Sequence, residues 1–265
     1  MVYMDIIIIS IVALFVAGLT FFSGFGLGTL LMPAFALFFP VEIAVAATAI
    51  VHLANNIYKG FLMGKHADLK VVLYFTIPAA VFASIGAYLL GYFSDLSPIT
   101  TYELSGKTFS ITPVNISIGI LMILFALVEL VPFLKKINFS RKSIPIGGAL
   151  SGFFGGVSGH QGALRTAFLV HAGLEKKSFI GTMVLSAIVI DIVRITVYGL
   201  TFMNFNREMF QTSGLKTLLI AGSIAAFLGS SIGKMLLEKV TFDTIHIIVG
   251  IMLMFLGIAI TLGII

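Results

Sequence analysis

Polar side chains recur at helical spacing inside an apolar segment near residue 50. They fall at i, i+4, i+7, i+8 and i+11, on one face of a helix, and they are Thr48, His52, Asn55, Asn56 and Lys59. Imidazole and amide groups donate hydrogen bonds to anions, and imidazole also exchanges a proton near neutral pH. We therefore expect His52, Asn55 and Asn56 to contact an anionic solute. Two other roles stay open: a hydrogen-bonded seam between helices and, for Lys59, a side chain that reaches towards the lipid headgroups.

A second apolar segment carries both charges of a potential ion pair. Asp191 and Arg194 lie three residues apart near its middle, with Thr182, Ser186 and Tyr198 on the same segment. A charge at mid-bilayer costs about 2.5 to 3.5 kcal/mol on insertion scales, so each is a candidate functional residue. The two side chains could form a purely structural pair. Alternatively Arg194 binds the solute, while Asp191 holds Arg194 in place or carries a proton. We adopt this second hypothesis for the site.

Two glycine-rich strings, residues 23–29 and 155–162, interrupt apolar stretches at matching places in the two halves of the chain. Backbone freed from helical bonding inside a bilayer persists only where protein or a hydrated cavity satisfies it, and paired breaks of this kind indicate a transport site. Backbone contacts to an anion are expected from Gly24, Gly26, Gly28, Thr29, Gly159 and Gly162. The alternative role for these glycines is close packing of helices.

The second string also carries side chains that suit an anion. His160, Gln161 and Arg165 follow the break, and Arg165 lies where a returning helix would begin. Unpaired N–H groups, the positive end of the helix dipole and a planar guanidinium all favour an anion there. His171, further along, is a second candidate for proton coupling or orientation. We expect His160, Gln161 and Arg165 to bind the solute.

The composition requires these residues to be held by membrane-spanning helices. The 265 residues are 59% hydrophobic and 10% charged, and the mean hydropathy is +1.13, so the chain is an integral membrane protein. The basic residues are scattered through short loops, which argues against a nucleic-acid partner. There is no cysteine, and the histidines do not fall at ligand spacing with carboxylates, so no metal or other cofactor is expected.

Eight apolar runs give the number of spans. Six have the length of one span, about 20 residues, and they are 41–63, 70–93, 113–134, 178–201, 215–237 and 244–264. The other two, 6–39 and 144–172, are too long for one upright helix and contain the glycine breaks. Each of these could be a tilted broken helix or a pair of shorter helices.

The chain also repeats itself. Gly18, Gly28 and Thr48 align with Gly152, Gly162 and Thr182 at one constant offset. Residues 79–86 match 225–233 with one insertion, and residues 118–122 match 249–253. We predict a first transmembrane repeat over residues 1–138 and a second over 139–265.

Loop charge predicts the orientation of the two repeats. Basic residues concentrate in loops that we assign to the cytoplasm: Lys65, Lys70, Lys135, Lys136, Arg141, Lys142, Lys176, Lys177, Lys234 and Lys239. The stretch 144–172 must then leave and return on one side, as a helical hairpin. Each repeat becomes a broken helical hairpin plus three transmembrane helices, so the two repeats are inverted and both termini lie outside. The predicted fold is an all-α polytopic membrane protein.

Two other classes of protein compete with a transporter. Residues 156–159 form a GxSG string, which with His246 and the HxxxN string at 52–56 resembles rhomboid intramembrane serine proteases. We rank the protease hypothesis second, because the HxxG motif expected at the histidine is absent at His246 and because a protease needs no duplicated architecture. An anion channel ranks third, because its pore would need polar residues along a whole path.

Two duplicated halves, each opening with a glycine-rich break at residues 24–33 or 155–162, resemble the sulfite exporter TauE/SafE family. The resemblance covers essentially the whole chain. It implies a transporter, not an enzyme, that moves sulfite, sulfoacetate or a related organosulfonate across the cytoplasmic (inner) membrane, with export as the expected direction. We expect alternating access around a midplane site, with proton coupling as a further hypothesis. The expected partners are a small anionic solute and the lipid bilayer.

Overall fold

The computed structural model describes residues 2–21, 27–131, 139–202, 214–235 and 242–265. The helices follow the apolar runs. In the described residues the α-helices are α1 (Val2–Leu19), α2 (Leu27–Ala36), α3 (Val41–Met63), α4 (Leu69–Ser94), α5 (Pro113–Leu130), α6 (Ile144–Ser158), α7 (Gly162–Leu169), α8 (Lys176–Leu200), α9 (Leu215–Met235) and α10 (Phe242–Thr261). Single 3-10 turns cover Gly64–His66, Arg141–Ser143 and Val170–Ala172. The helices α3, α4, α5, α8 and α9 are long and apolar enough to cross a bilayer. The predicted all-α polytopic membrane fold is confirmed.

Both long apolar runs are pairs of shorter helices. The run 6–39 holds α1 and α2, and the break between them, at residues 22–26, lies outside the described residues. The run 144–172 holds α6 and α7, which are separated at Gly159 with φ of +80°. This left-handed conformation suits glycine and ends α6. The sequence left open a tilted broken helix or a pair of shorter helices for each run, and both runs contain a pair of shorter helices.

The loop between α4 and α5 contains a β-hairpin that the sequence analysis did not predict. Strand β1 (Thr100–Leu104) pairs antiparallel with β2 (Lys107–Ile111). The two turn residues, Ser105 and Gly106, both have positive φ, as expected of a primed two-residue turn. The Tyr102 hydroxyl donates a hydrogen bond of 2.7 Å to the Leu262 carbonyl, so the hairpin is tied to the end of α10.

Glycine lets two pairs of helices pack backbone to backbone. A Cβ added at Gly152 of α6 would lie 2.0 Å from the Ala79 carbonyl oxygen of α4, and one added at Gly229 of α9 would lie 2.0 Å from the Leu14 oxygen of α1. Lipid removes the hydrophobic driving force between helices, so membrane helices associate through close van der Waals packing, which small residues allow. The helices α4 and α6, and likewise α1 and α9, are therefore in direct backbone contact.

Helices α3 and α8 pack against each other in the interior. Their contacts run in opposite order, since Met63 lies against Gly181 whereas His52 lies against Asp191, so the helices are antiparallel. In the most apolar stretch of the span that includes α3, 67% of the residues are buried, a larger share than in the corresponding stretches of α4, α5, α8 and α9. The polar faces predicted on α3 and α8 therefore face each other.

Candidate functional site

Asp191 of α8 is the centre of the polar contacts between α3 and α8. His52 Nδ1 lies 2.6 Å from Asp191 Oδ2, and Asn56 Nδ2 donates to the same oxygen at 3.3 Å. His52 and Asn56 lie one helical turn apart on α3, so a single carboxylate oxygen reaches both. The polar face of α3 is thus joined to the charged position of α8.

The second carboxylate oxygen is bound from the other side. Gln161 Nε2 donates to Asp191 Oδ1 at 2.8 Å, Arg194 Nε donates at 3.0 Å, and Arg194 Nη2 lies 2.9 Å away. Asp191 and Arg194 are both 0% exposed. A fully buried ion pair needs further hydrogen bonds to offset its desolvation, and His52, Asn56 and Gln161 supply them. The predicted pair of Asp191 and Arg194 exists, as part of a larger network.

Arg194 and Tyr198 fix this network to the end of α6. Arg194 Nη1 donates to the Gly155 carbonyl at 3.1 Å, and the Tyr198 hydroxyl donates to the Gly156 carbonyl at 2.5 Å. Carbonyls in the last turn of a helix have no intrahelical partner, so side chains commonly satisfy them. Tyr198 was not predicted as a site residue. Its signal was its spacing, four residues after Arg194 on the same face.

The first turn of α2 approaches the end of α6 at the site. A Cβ added at Gly28, in the first turn of α2, would lie 3.2 Å from the Gly159 carbonyl oxygen and 3.7 Å from His52 Cδ2. Thr29 and Gly162 are buried in the first turns of α2 and α7. Gly24 and Gly26 lie outside the described residues, so their predicted contacts stay predictions.

A narrow cavity of about 20 Å³ lies beside the network. Five of its lining residues are polar or charged: Thr20, His52, Asn56, Lys59 and Arg165. Lys59 is only 6% exposed, and its Nζ lies 5.1 Å from the centre of the Phe21 ring. The remaining lining is apolar: Phe21, Leu27, Ile180, Met183 and Val184. The structure therefore buries Lys59 against protein, where the sequence left headgroup contact open.

Three predicted site residues lie apart from the contacts to Asp191. Asn55 is buried and accepts a hydrogen bond of 2.8 Å from the Ser230 hydroxyl of α9. His171 is half-buried in the 3-10 turn after α7. His160 stacks on Phe125 of α5 with ring centres 5.8 Å apart, and its Nδ1 lies 2.8 Å from the Ser158 carbonyl. Asn55 thus has the seam role that the sequence left open.

Ser158 of the GxSG string is fully buried. Its hydroxyl donates to the Phe154 carbonyl at 3.0 Å, and His160 Nδ1 lies 3.2 Å from the Ser158 hydroxyl oxygen. The side chain of His246 lies outside the described residues. Among the residues that are described, no group of three His, Cys, Asp or Glu side chains could hold a metal ion. The Ser158 hydroxyl is thus bonded to a carbonyl of its own helix.

No curated protein matches this chain, and no solved structure does either. A family model described as Sulfite exporter TauE/SafE matches residues 6–260, which leaves only a few residues at each end. The resemblance drawn from the two glycine-rich breaks is confirmed by this match. The chain belongs to the sulfite exporter TauE/SafE family of membrane transporters.

Proposed function

We propose that this protein is a secondary transporter that exports a small sulfur-containing anion by alternating access around the Asp191 network. One observation carries the proposal. Three cationic side chains, Lys59, Arg165 and Arg194, lie buried in or beside a network that holds one carboxylate. Because buried cationic side chains form strong charge-assisted hydrogen bonds to anions, such a place favours a bound anion.

Cationic side chains line the cavity beside this site. Both oxygens of Asp191 accept hydrogen bonds from other side chains, and Arg194 is directed at Asp191 and Gly155. Lys59 and Arg165 line the cavity itself. The start of α7 adds backbone N–H groups and the positive end of a helix dipole. An anion in the cavity would meet cations and amide donors.

The size of the cavity supports a carrier over an open channel. A space of about 20 Å³ is enough for about one water molecule, so a larger anion can enter only if neighbouring side chains or helices move. Carriers rearrange in this way around a midplane site, whereas a channel keeps a continuous polar path. Within the family's scope, sulfite, sulfoacetate and related organosulfonates are the proposed substrates.

A ligand-stability screen tests this proposal. The chain has no Trp and no Cys, so a fluorescent-protein fusion followed by size-exclusion chromatography is a suitable readout of thermal stability. We expect one of sulfite, thiosulfate, sulfoacetate or taurine to raise the midpoint, because a ligand that binds only the folded state stabilises it. Arg165→Ala should remove the shift, and the exposed control Arg141→Ala should keep it. An unshifted wild type with every anion would contradict the proposal.

The contact of 2.6 Å between His52 and Asp191 supports a proposed coupling to protons. A histidine paired with a buried carboxylate can take up a proton when the anion binds and release it on the other side. In proteoliposomes, an imposed pH gradient should then drive accumulation of the anion, and His52→Gln should uncouple transport from the gradient. Transport that ignores the gradient in the wild type would refute the coupling.

A further inference from the structure

We infer that a second cavity, at the start of α4 and α6, binds the phosphate group of an anionic phospholipid. This cavity has a volume of about 600 Å³, which is in the range of ligand-binding pockets. Its lining includes Lys70 and Tyr74 of α4, together with Arg141 and Lys142 of the 3-10 turn before α6. It shares no lining residue with the cavity beside Asp191. The inference therefore does not depend on the proposed function, and solute binding at Asp191 does not require this lipid.

The charged side chains of this second cavity are all cationic. Three cations line it, and none of its described lining residues is acidic. Asp68, the nearby acidic residue, caps α4, since its carboxylate accepts from the backbone N–H groups of Lys70 and Val71. Within the described ranges, Lys70, Arg141 and Lys142 form no ion pair with a carboxylate. Ammonium and guanidinium groups bind phosphate through charge-assisted hydrogen bonds, so the cavity suits a phosphate group.

The position of the cavity favours a membrane lipid as the source of that phosphate. Lys70 and Val71 lie in the first turn of α4, and Ile144 and Pro145 lie in the first turn of α6. The cavity thus lies where these apolar helices begin, at the level of the lipid headgroups. The loop charges predict that this end is cytoplasmic, and basic pockets between membrane helices on that side bind anionic headgroups.

Tyr74 joins the cavity to a face of α4 that is open to lipid. The Tyr74 side chain lines the cavity and is 58% exposed. Exposed apolar side chains follow it on the same helical face at i+3, i+7 and i+11, and they are Ile77, Val81 and Ile85. Tyrosine is common at the membrane–water interface, and an apolar face beyond it contacts acyl chains. A phospholipid can therefore occupy both the cavity and this face, whereas free phosphate uses the cavity alone.

Quenching of an introduced tryptophan by brominated lipid tests the inference. Because the chain has no Trp, Ile77→Trp gives one fluorophore, about one turn beyond Tyr74 on the exposed face. In phosphatidylcholine vesicles, we expect brominated phosphatidylglycerol to bind beside this tryptophan more tightly than brominated phosphatidylcholine does. Lys70→Gln combined with Lys142→Gln should lower that preference by about 5-fold for each charge removed.

Matched variants and a competitor make the result specific. Lys107→Gln combined with Lys216→Gln removes the same charge from exposed positions outside the cavity and should keep the preference. A tryptophan at the exposed Leu228 of α9 should show a smaller preference. Millimolar inorganic phosphate should not displace the lipid. Equal preference at both tryptophans, an unchanged preference in the Lys70 and Lys142 double variant, or displacement by inorganic phosphate would overturn the inference.

Discussion

At the scale of single residues, Asp191 is the group on which the site depends. Its carboxylate accepts from α3, from the break before α7 and from Arg194 in its own helix. Sequence spacing predicted each of these side chains as polar groups facing inward. It could not predict that His52 and Asp191 meet, because they are 139 residues apart and such a contact depends on how α3 and α8 pack.

The same contacts predict the effect of removing the charge of Asp191. Asp191→Asn leaves Arg194 buried without its carboxylate, and breaking a buried pair in this way costs about 3 to 5 kcal/mol. We expect a clear fall in the thermal midpoint of the detergent-solubilised protein. Asp68→Asn is the control, because Asp68 caps α4 and asparagine caps nearly as well. Equal midpoints for the two variants would contradict the role given to Asp191.

Asn55 and Lys59 show that the polar face of α3 did not by itself predict which side chains reach the Asp191 network. Asn55 and Asn56 are adjacent in sequence, so they point about 100° apart around the helix. Asn56 reaches Asp191, whereas Asn55 turns to Ser230 of α9. Whether Lys59 reaches lipid or the cavity depends on Phe21 and α8, which no local pattern encodes.

At the scale of elements, the glycines divide into two classes that the sequence could not separate. Gly28 and Gly159 lie where the first turn of α2 meets the end of α6, and Gly159 has a conformation that other residues rarely adopt. Gly152 and Gly229 instead bring helices into backbone contact. The breaks were predictable because glycine strings interrupt apolar runs. The β-hairpin had a signal that the sequence analysis did not use, since apolar and polar residues alternate on both sides of Ser105 and Gly106.

Because Gly152 brings α6 into backbone contact with α4, we expect its replacement by alanine to destabilise the protein. Its alanine variant would place a methyl group 2.0 Å from the Ala79 carbonyl oxygen, and backbone cannot move aside as a side chain can. We expect a loss of about 1 to 3 kcal/mol, typical of overpacking, measured as a lower thermal midpoint. Gly199→Ala is the matched control, because nothing lies within 4 Å of its added Cβ and alanine favours the helix by up to about 1 kcal/mol. Destabilisation of both variants alike would refute the packing account.

At the scale of the whole molecule, the contacts support a proposal that the two halves are inverted repeats. The aligned glycines Gly18 and Gly152 each pack on a helix of the other half, at Gly229 and Ala79. The equivalent helices α3 and α8 run antiparallel, and so do α5 and α10, since Gly119 lies against Gly257 while Leu130 lies against Gly250. Inversion of one half relative to the other gives this arrangement.

Labelling of introduced cysteines tests the predicted orientation, and the cysteine-free chain gives no background. Glu103 in the β-hairpin and Lys177 in the first turn of α8 are both exposed. The loop charges place Lys177 in the cytoplasm. We expect an impermeant maleimide to label Glu103→Cys in intact cells and Lys177→Cys only after the membrane is opened. The reverse pattern would overturn the orientation and the external termini.

The central claim is carrier-type transport of a sulfur-containing anion through the Asp191 site, and solute counterflow measures it most directly. Proteoliposomes loaded with unlabelled sulfite are diluted into a trace of labelled sulfite. A carrier that alternates between two sides predicts a transient accumulation of label above equilibrium, and Arg165→Ala should abolish it while Arg141→Ala should not. Label that only equilibrates, or that never enters beyond the level of empty liposomes, would contradict the account.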